Sequence, residues 1–327
     1  MKRSDGTWEP FDDYVLDFAI ECAQAQVRYV IVTLVAIEGS SPRPLGAQMA
    51  VSETGMFVGY LSGGCIERAV VVEALDALHE GANRLVRYGK GSPYFDIQLP
   101  CGGAIELCFD VGQATEVLQM IDQRLAQRLS AEMPVKMPSI AGRPAEFFRV
   151  SYAPRRRLII AGSGPAAVQL CKLARLSGLL VKVLSADLAT RDYAAEMQAE
   201  VVQLTNPGSI PPLIADKFTA IVFMFHDHAW EENLLPAALA TDAYYIAAMG
   251  SKSTHEGRRR DLQARGFSGR SLDRIQGPAG MFAGAKSASS VAVSILADVI
   301  KDSNFSLVHP ASNSISPDHV QYELASQ

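Results

Sequence analysis

The chain has 327 residues with 48% hydrophobic and 20% charged side chains, and its formal net charge is −5. A length above that of most single hydrophobic cores predicts two domains, and the acidic balance argues against a nucleic-acid-binding protein. No run of residues has the roughly 18 consecutive apolar positions that a membrane-spanning helix needs, so we expect no membrane span.

The N-terminal residues 1–14 contain no apolar segment like that of a secretory signal. The five cysteines lack the paired spacing of a disulfide framework or of a structural zinc site. We therefore expect a cytoplasmic protein whose thiols are reduced.

The first half of the chain mixes helices and strands without a repeating order. Helical periodicity predicts a helix over 12–27, and the β-branched segment 29–37 predicts a buried strand. Further predicted elements are a hairpin around 53–55, a helix over 66–80, strands over 85–89 and 104–111, and a helix over 113–130. This pattern predicts an N-terminal α+β domain over 1–130, followed by an irregular linker over 131–155 with one short strand.

Beyond the linker, strands and helices alternate regularly. Strands are predicted over 157–162, 179–187, 199–205, 220–227 and 243–250, with helices between them and a last helix over 287–300. Such alternation is typical of a parallel, doubly wound sheet, because each crossover helix returns the chain to the same edge. We therefore predict a Rossmann-like domain over 156–301, an α/β fold overall, and a polar tail over 302–327.

The first strand of this second domain ends in a glycine-rich turn. Gly162, Gly164 and Ala167 have the spacing of a dinucleotide-binding fingerprint. Gly162 suits the tight turn, and Gly164 would let a phosphate approach the backbone at the start of the next helix. Asp187, at the end of the second strand, is the candidate ligand for a ribose hydroxyl. The alternative is that the glycines only shape a tight turn between strand and helix.

Two later strand ends carry further polar candidates. His226 and Asp227 follow an apolar strand, where ligands of open parallel sheets bind, and are candidates for ligand contact or proton transfer. Ser251 and Lys252 stand at the start of a helix, whose free amides could hold an anion. Ordinary capping of that helix by Ser253 or Thr254 is an equally good account.

Two cysteines lie beside glycine pairs in the first half of the chain. The residues concerned are Gly63, Gly64 and Cys65, and Cys101, Gly102 and Gly103. We expect Cys65 in the first turn of a helix, where peptide dipoles favour a thiolate, and Cys101 in an unshielded loop. Both are candidates for exposed, reactive thiols, and ordinary burial as packing residues is the alternative.

A set of sequence blocks in both halves of the chain carries a family resemblance. The blocks are GSSPRPLGAQM, YLSGGCIERAVVVEA, LPCGGAIEL, LIIAGSGPAAVQL, FHD, YIAAMGSKSTHEGRR and GPAGMFAGAKSASSVAVSILADVI. In this order they resemble the xanthine dehydrogenase accessory family over about residues 12–300. These proteins are molybdenum cofactor insertion chaperones, related to the accessory proteins of carbon monoxide dehydrogenase operons.

The resemblance implies a chaperone rather than an enzyme. Such proteins bind molybdenum cofactor, shield it while a terminal sulfido ligand is added, and insert it into apo xanthine dehydrogenase or a related molybdenum hydroxylase. A cysteine desulfurase is the second implied partner. The cofactor, as molybdopterin or its dinucleotide form, would meet Cys65 and Cys101 at molybdenum, and its phosphate would meet the amides at Gly162–Gly164 and Ser251–Lys252.

Two other functions are compatible with the residues. The Rossmann-like turn also fits an NAD(P)-dependent oxidoreductase with His226 or His255 as proton donor. A module that senses a nucleotide and uses its first domain as a protein interface is the third hypothesis. In addition, the apolar strand 29–37, taken as lying at a domain edge, predicts a homodimer.

Overall fold

The computed structural model describes residues 6–92, 99, 102–138, 147–282 and 284–303. The chain divides into a first compact unit that includes Met1–Ala153 and a second unit, Pro154–Ser306. Within the described ranges, no helix combines the length and the apolar character that crossing a membrane would require.

The first unit is built on an antiparallel sheet. Its elements are α1 (Leu16–Gln24), β1 (Tyr29–Glu38), β2 (Gln48–Ser52), β3 (Phe57–Gly59), α2 (Glu67–Glu80), β4 (Arg84–Gly89), β5 (Ala104–Asp110), α3 (Thr115–Ala126), β6 (Ala131–Lys136) and β7 (Phe147–Tyr152). Five strands pair in the order β3-β2-β1-β5-β4, and β6 pairs with β7 as a separate ladder. The predicted α+β character and the predicted hairpin between β2 and β3 are both confirmed.

Alternating side chains of this sheet form two cores, one on each face. Leu107 and Phe109 of β5 pack with α2 on one face. Cys108, between them, packs on the other face with α1, α3, β6 and β7. Burial raises the pKa of the Cys108 thiol to about 12, so it fills the core as a neutral group.

Two predictions about the strands of the first unit are wrong. The segment 29–37 was expected at a domain edge, but β1 lies at the centre of the sheet and pairs with β2 on one side and β5 on the other. Its backbone groups are therefore used within the unit, and this reason for a homodimer fails. Residues 131–136, expected to be irregular linker, form β6, whose alternating apolar side chains enter the core against α1 and α3.

The second unit is a doubly wound sheet. Its elements are β8 (Arg157–Gly162), α4 (Pro165–Leu176), β9 (Leu180–Ser185), α5 (Leu188–Glu196), β10 (Glu200–Gln203), β11 (Thr219–Met224), α6 (Glu231–Leu239), β12 (Tyr245–Ala248), α7 (Lys252–Ala264), α8 (Gly269–Leu272), β13 (Ile275–Gln276) and α9 (Ala288–Ser303). The six strands run parallel in the order β10-β9-β8-β11-β12-β13. This order is that of the Rossmann fold, as predicted.

Helices cover both faces of the parallel sheet. Helices α4, α5 and α9 bury apolar residues on one face, and α6, α7 and α8 bury theirs on the other. One predicted crossover helix is missing, because β10 and β11 are joined by the non-helical segment 204–218. Prolines at 207, 211 and 212 explain this, since each removes an amide that a helix interior needs.

Candidate functional site

The carboxyl ends of β8 and β11 meet where the strand order of the second unit reverses. The helix that follows β8 packs on one face of the sheet, and the helix that follows β11 packs on the other. Gly162, the last residue of β8, pairs with Met224, the last residue of β11. A crevice for ligands opens at such a reversal, and the predicted residues His226 and Asp227 border it on the β11 side.

The two glycines of the turn after β8 serve different purposes. A Cβ on Gly162 would lie 2.4 Å from the carbonyl oxygen of Met224, so a side chain cannot fit between the strands. Gly164 has a φ of 90°, in the left-handed region, and among the described residues nothing lies within 4 Å of its missing Cβ. Gly162 therefore permits close strand packing, whereas Gly164 leaves open space at the start of α4.

Replacing Gly162 with alanine is expected to lower the free energy of unfolding by about 3 kcal/mol, because two backbones must separate to admit the new Cβ. Chemical denaturation measures the loss. Gly257→Ala on α7 is the matched control, since nothing described lies within 4 Å of its missing Cβ. In a helix interior that change should stabilise by about 0.5–1 kcal/mol. Equal effects of the two substitutions would contradict the packing account.

The amide of Gly164 is engaged by a residue that the sequence did not single out. It donates to the Thr190 hydroxyl at 2.9 Å, and that hydroxyl donates to Asp187 Oδ2 at 2.6 Å. Asp187 also accepts from the Thr190 amide at 2.7 Å and caps α5. The hydrogen bonds from Thr190 lower the pKa of the Asp187 carboxyl. Asp187 thus fixes the glycine turn through Thr190, and its contact with a ribose stays a prediction.

The residues after β11 reach solvent at the crevice. His226 and Asp227 are exposed, while Phe225 before them is buried. Asp227 Oδ1 accepts from the amide of Ala229 at 3.0 Å and caps a short 3-10 turn. Its carboxylate therefore shapes the local chain, and both the Asp227 and His226 side chains remain at the surface.

Ser251 caps α7 at the next strand end. Its hydroxyl accepts from the Thr254 amide at 3.1 Å and lies 2.8 Å from the hydroxyl oxygens of both Ser253 and Thr254. Lys252 is exposed in the first turn of the helix. The helix is thus capped by a hydroxyl, but the predicted caps Ser253 and Thr254 are wrong, because Ser251 is the cap. The Lys252 side chain stays exposed.

A buried ion pair stabilises the turn between β12 and α7 from the interior of the unit, and sequence analysis missed it. Arg258 donates from Nε and Nη2 to the Glu231 carboxylate at 2.6 and 2.9 Å, and both residues are almost fully buried. Arg258 Nη2 also donates to the carbonyl oxygen of Met249 at 2.6 Å. His228 Nδ1 lies 3.0 Å from Glu231 Oε2. The pair joins the ends of β11 and β12, and no local pattern signals it because the partners lie on different helices.

His255 is partly buried, and its ring packs against a glycine. A Cβ on Gly277 would lie 2.1 Å from His255 Nδ1, so the ring packs directly on this glycine. Burial, helped by Arg258 and Arg259, lowers the pKa of His255. An open pocket of about 500 Å³ lies beside it, and its lining includes the charged residues Asp298 and Lys301.

In the first unit, Cys65 lies in a tight turn before α2. The helix begins at Glu67, so the prediction of Cys65 in its first turn is wrong. The cysteine is exposed, and a Cβ on Gly63 or Gly64 would meet no described atom within 4 Å. Gly64 has a φ of 100°, which a side chain would strain. The thiol is therefore presented to solvent beside open backbone.

A buried carboxylate holds this turn in shape. Glu67, which is 4% exposed, accepts from the amides of Leu61 at 3.1 Å, Ser62 at 2.8 Å and Ile66 at 3.2 Å. The Ser62 hydroxyl donates to Glu67 at 2.8 Å and accepts from the Cys65 amide at 3.0 Å. Burial alone would raise the pKa of Glu67, but the hydrogen bonds from Ser62 and Leu61 outweigh it and lower the pKa.

The second predicted cysteine cluster is only partly described. Cys101 lies outside the described residues. Gly102 is exposed, and no described atom lies within 4 Å of its missing Cβ. A Cβ on Gly103 would lie 2.6 Å from the carbonyl oxygen of Glu38, so this glycine allows close packing of two backbones. The part of the chain that the structure covers contains no group of three or more metal-binding side chains.

Comparison with known proteins shows the family to which the chain belongs. Residues 158–299 match the XdhC Rossmann domain, and residues 22–89 match the XdhC and CoxI family. The chain is 35% identical over 300 residues, 88% of each protein, to the molybdenum cofactor insertion chaperone PaoD of Escherichia coli. The chain belongs to the XdhC and CoxI family. The resemblance inferred from the sequence blocks is thereby confirmed.

Two more distant relatives agree with the fold. The chain is 23% identical to a probable xanthine dehydrogenase component of Bacillus subtilis, over 84% of this chain and 93% of that protein. A crystal structure of a xanthine dehydrogenase from Bacillus halodurans superimposes with a TM-score of 0.72 at 23% identity. That alignment covers 88% of this chain and 95% of the other. Both units of this XdhC and CoxI family member thus have a solved structural relative.

Proposed function

We propose that this XdhC and CoxI family protein binds molybdenum cofactor and delivers it to a molybdenum-containing apo-enzyme of the xanthine dehydrogenase class. The observation that carries the proposal is 35% identity to a molybdenum cofactor insertion chaperone over 88% of both chains. The cofactor is here the cargo of the protein. We further propose that the protein assists the sulfuration of the cofactor, with a cysteine desulfurase as partner. The homodimer is not part of the proposal.

The residues offer groups that match the two ends of the cargo. Molybdenum bound by sulfur is a soft centre, and the exposed Cys65 thiol is a soft ligand with open backbone around it. Cys101 is proposed as a second thiol on the strength of the sequence alone. The phosphate of molybdopterin, or the longer phosphate chain of its dinucleotide form, suits helix N-termini at the carboxyl edge of the parallel sheet. His226 and Asp227 border that edge and are proposed as further contacts.

Protein purified from a host that makes molybdopterin is expected to retain pterin and molybdenum together. The fluorescence of the oxidised pterin measures the pterin, and elemental analysis measures the molybdenum. Cys65→Ser, which keeps the size of the side chain but removes the soft ligand, should lower retained molybdenum about tenfold, since a lost metal–thiolate bond is worth at least about 1.4 kcal/mol. Its thermal midpoint should match that of the parent, because the side chain is exposed.

The same protein purified from a host unable to make molybdopterin supplies the blank. Absence of both pterin and molybdenum from the first preparation, with tight retention of NAD(P), would replace the proposal with the oxidoreductase. The Rossmann strand order favours that second candidate. The lowered pKa of His255 weakens the case for this residue as the proton donor, because a neutral imidazole is a poor proton donor, and it leaves His226 as the other predicted donor.

A further inference from the structure

An exposed histidine between the ends of β11 and β12 is held by a buried carboxylate. His228 Nδ1 lies 3.0 Å from Glu231 Oε2, and the Glu231 side chain is 3% exposed whereas that of His228 is 53% exposed. Arg258 fixes Glu231 with two hydrogen bonds and also donates to the carbonyl oxygen of Met249, just beyond β12. The imidazole is therefore anchored at the carboxyl edge of the parallel sheet, where ligands of such sheets bind.

This anchor decides which nitrogen of the His228 ring carries the hydrogen. A carboxylate paired with a guanidinium accepts hydrogen bonds and has none to donate, so His228 Nδ1 is the donor to Glu231. Nε2 of the neutral ring then carries a lone pair. Because the two ring nitrogens point in nearly opposite directions, Nε2 faces away from the buried carboxylate and towards solvent. No described residue hydrogen-bonds to this nitrogen.

A fixed, accessible imidazole of this kind suits particular ligands. When one ring nitrogen donates to a carboxylate, the other is an oriented acceptor for a metal ion or for an N–H group. A metal ion would need further ligands, and the described ranges contain no group of three or more metal-binding side chains. An ionised phosphate offers no hydrogen to the lone pair, whereas the ring of a pterin and the carboxamide of nicotinamide both carry N–H groups. The acceptor therefore favours the heterocyclic part of a ligand.

We propose that His228 Nε2 accepts a hydrogen bond from an N–H group of a heterocyclic ligand bound at the carboxyl ends of β11 and β12. Glu231 is the positioning residue, since it acts on the ligand only through the imidazole. That the ligand is the pterin of the cofactor rests on the proposed function, whereas the oriented acceptor itself does not. His228 thus binds the ring of the ligand rather than its phosphate and determines specificity for it.

The position of the ring hydrogen is measured by nitrogen-15 NMR of the full-length protein with labelled histidine. At about pH 8, where an ordinary imidazole is neutral, His228 should carry the hydrogen on Nδ1. Its signals are assigned by their loss in His228→Gln. The control is His79, which is exposed on α2 and has no hydrogen bond to a described residue, so it should carry the hydrogen mainly on Nε2, as free histidine does. A hydrogen on Nε2 of His228 would overturn the proposal.

Chemical footprinting tests the contact with the ligand. Diethyl pyrocarbonate acylates accessible neutral imidazoles, and mass spectrometry gives the rate at each histidine. At about 90% cofactor occupancy, His228 should react about tenfold more slowly than in protein from a host unable to make molybdopterin, since only the free form reacts. His79 should react equally in both preparations.

A third preparation, the cofactor-free protein with added NAD(P), separates the two possible ligands. Equal rates at His228 in all three preparations would overturn the proposed contact. Protection of His228 by NAD(P), with no cofactor retained by the purified protein, would refute the proposed function and leave the contact standing.

Discussion

Glu231→Ala is expected to lower the free energy of unfolding of the second unit by about 3–5 kcal/mol, which is the usual loss when one partner of a buried ion pair is removed. Arg258 would then carry a buried charge without a counterion, since Glu231 accepts both its Nε and Nη2 hydrogen bonds. Denaturation in urea, followed by far-ultraviolet circular dichroism, measures the change.

Glu232→Ala is the control for this substitution. It removes a carboxylate from the next position of the same helix, but one that is exposed to solvent. Exposed charges contribute little, so the free energy of unfolding should change by less than about 0.5 kcal/mol. If both variants unfold at the same urea concentration, the ion pair does not support the turn after β12. Double replacement of Glu231 and Arg258 by apolar residues should recover part of the loss, because no unpaired charge is left.

Glu67→Gln is expected to cost about 3 kcal/mol in the first unit and to loosen the turn that presents Cys65. The Glu67 carboxylate accepts hydrogen bonds from Leu61, Ser62 and Ile66, and an amide nitrogen in place of one oxygen would face donors instead of accepting from them. Hydrogen exchange at the amides of Cys65 and Ile66 should accelerate. Asp76→Asn is the matched change at an exposed position of α2 and should leave both amides protected.

Glu67→Gln is also expected to change how the free energy of unfolding depends on pH. The folded pKa of Glu67 is lowered from its ordinary value of 4.5, so the ionised carboxylate stabilises the folded chain above that pH. This contribution is lost as the pH falls through the folded pKa, because the proton then binds the native state as well. Glu67→Gln should therefore lose less stability on acidification than the parent protein. Parallel acid profiles of parent and variant would contradict the role assigned to the carboxylate.

The fold of the second unit was predictable because the sequence patterns that specify its strands and helices are local. Apolar strands separated by amphipathic helices leave few ways to bury both, and the right-handed crossover makes the sheet parallel. The glycine turn was found for the same reason, since Gly162 and Gly164 sit at fixed positions between a strand and a helix. The expected helix before β11 was wrong where prolines interrupt the chain.

The partners of the site residues were not predictable in this way. Thr190 binds the Gly164 amide across 26 positions of sequence, and Arg258 binds Glu231 across 27. Neither pairing produces a periodic pattern in the sequence, because each depends on which helix ends meet after the sheet has formed. Cys65 is exposed, as expected, but its predicted place in the first turn of α2 is wrong, because Glu67 and Ser62 organise a turn that precedes the helix.

The sequence by itself determined the α+β and Rossmann-like units, the glycine turn and the family, because these follow from the spacing of apolar residues and from contiguous motifs. Tertiary structure decided that β1 is a central strand, that β6 completes a core, and that Arg258 and Glu67 organise the two turns that carry the candidate ligands. The physical reason is that burial and hydrogen bonding between distant segments exist only once those segments are packed together.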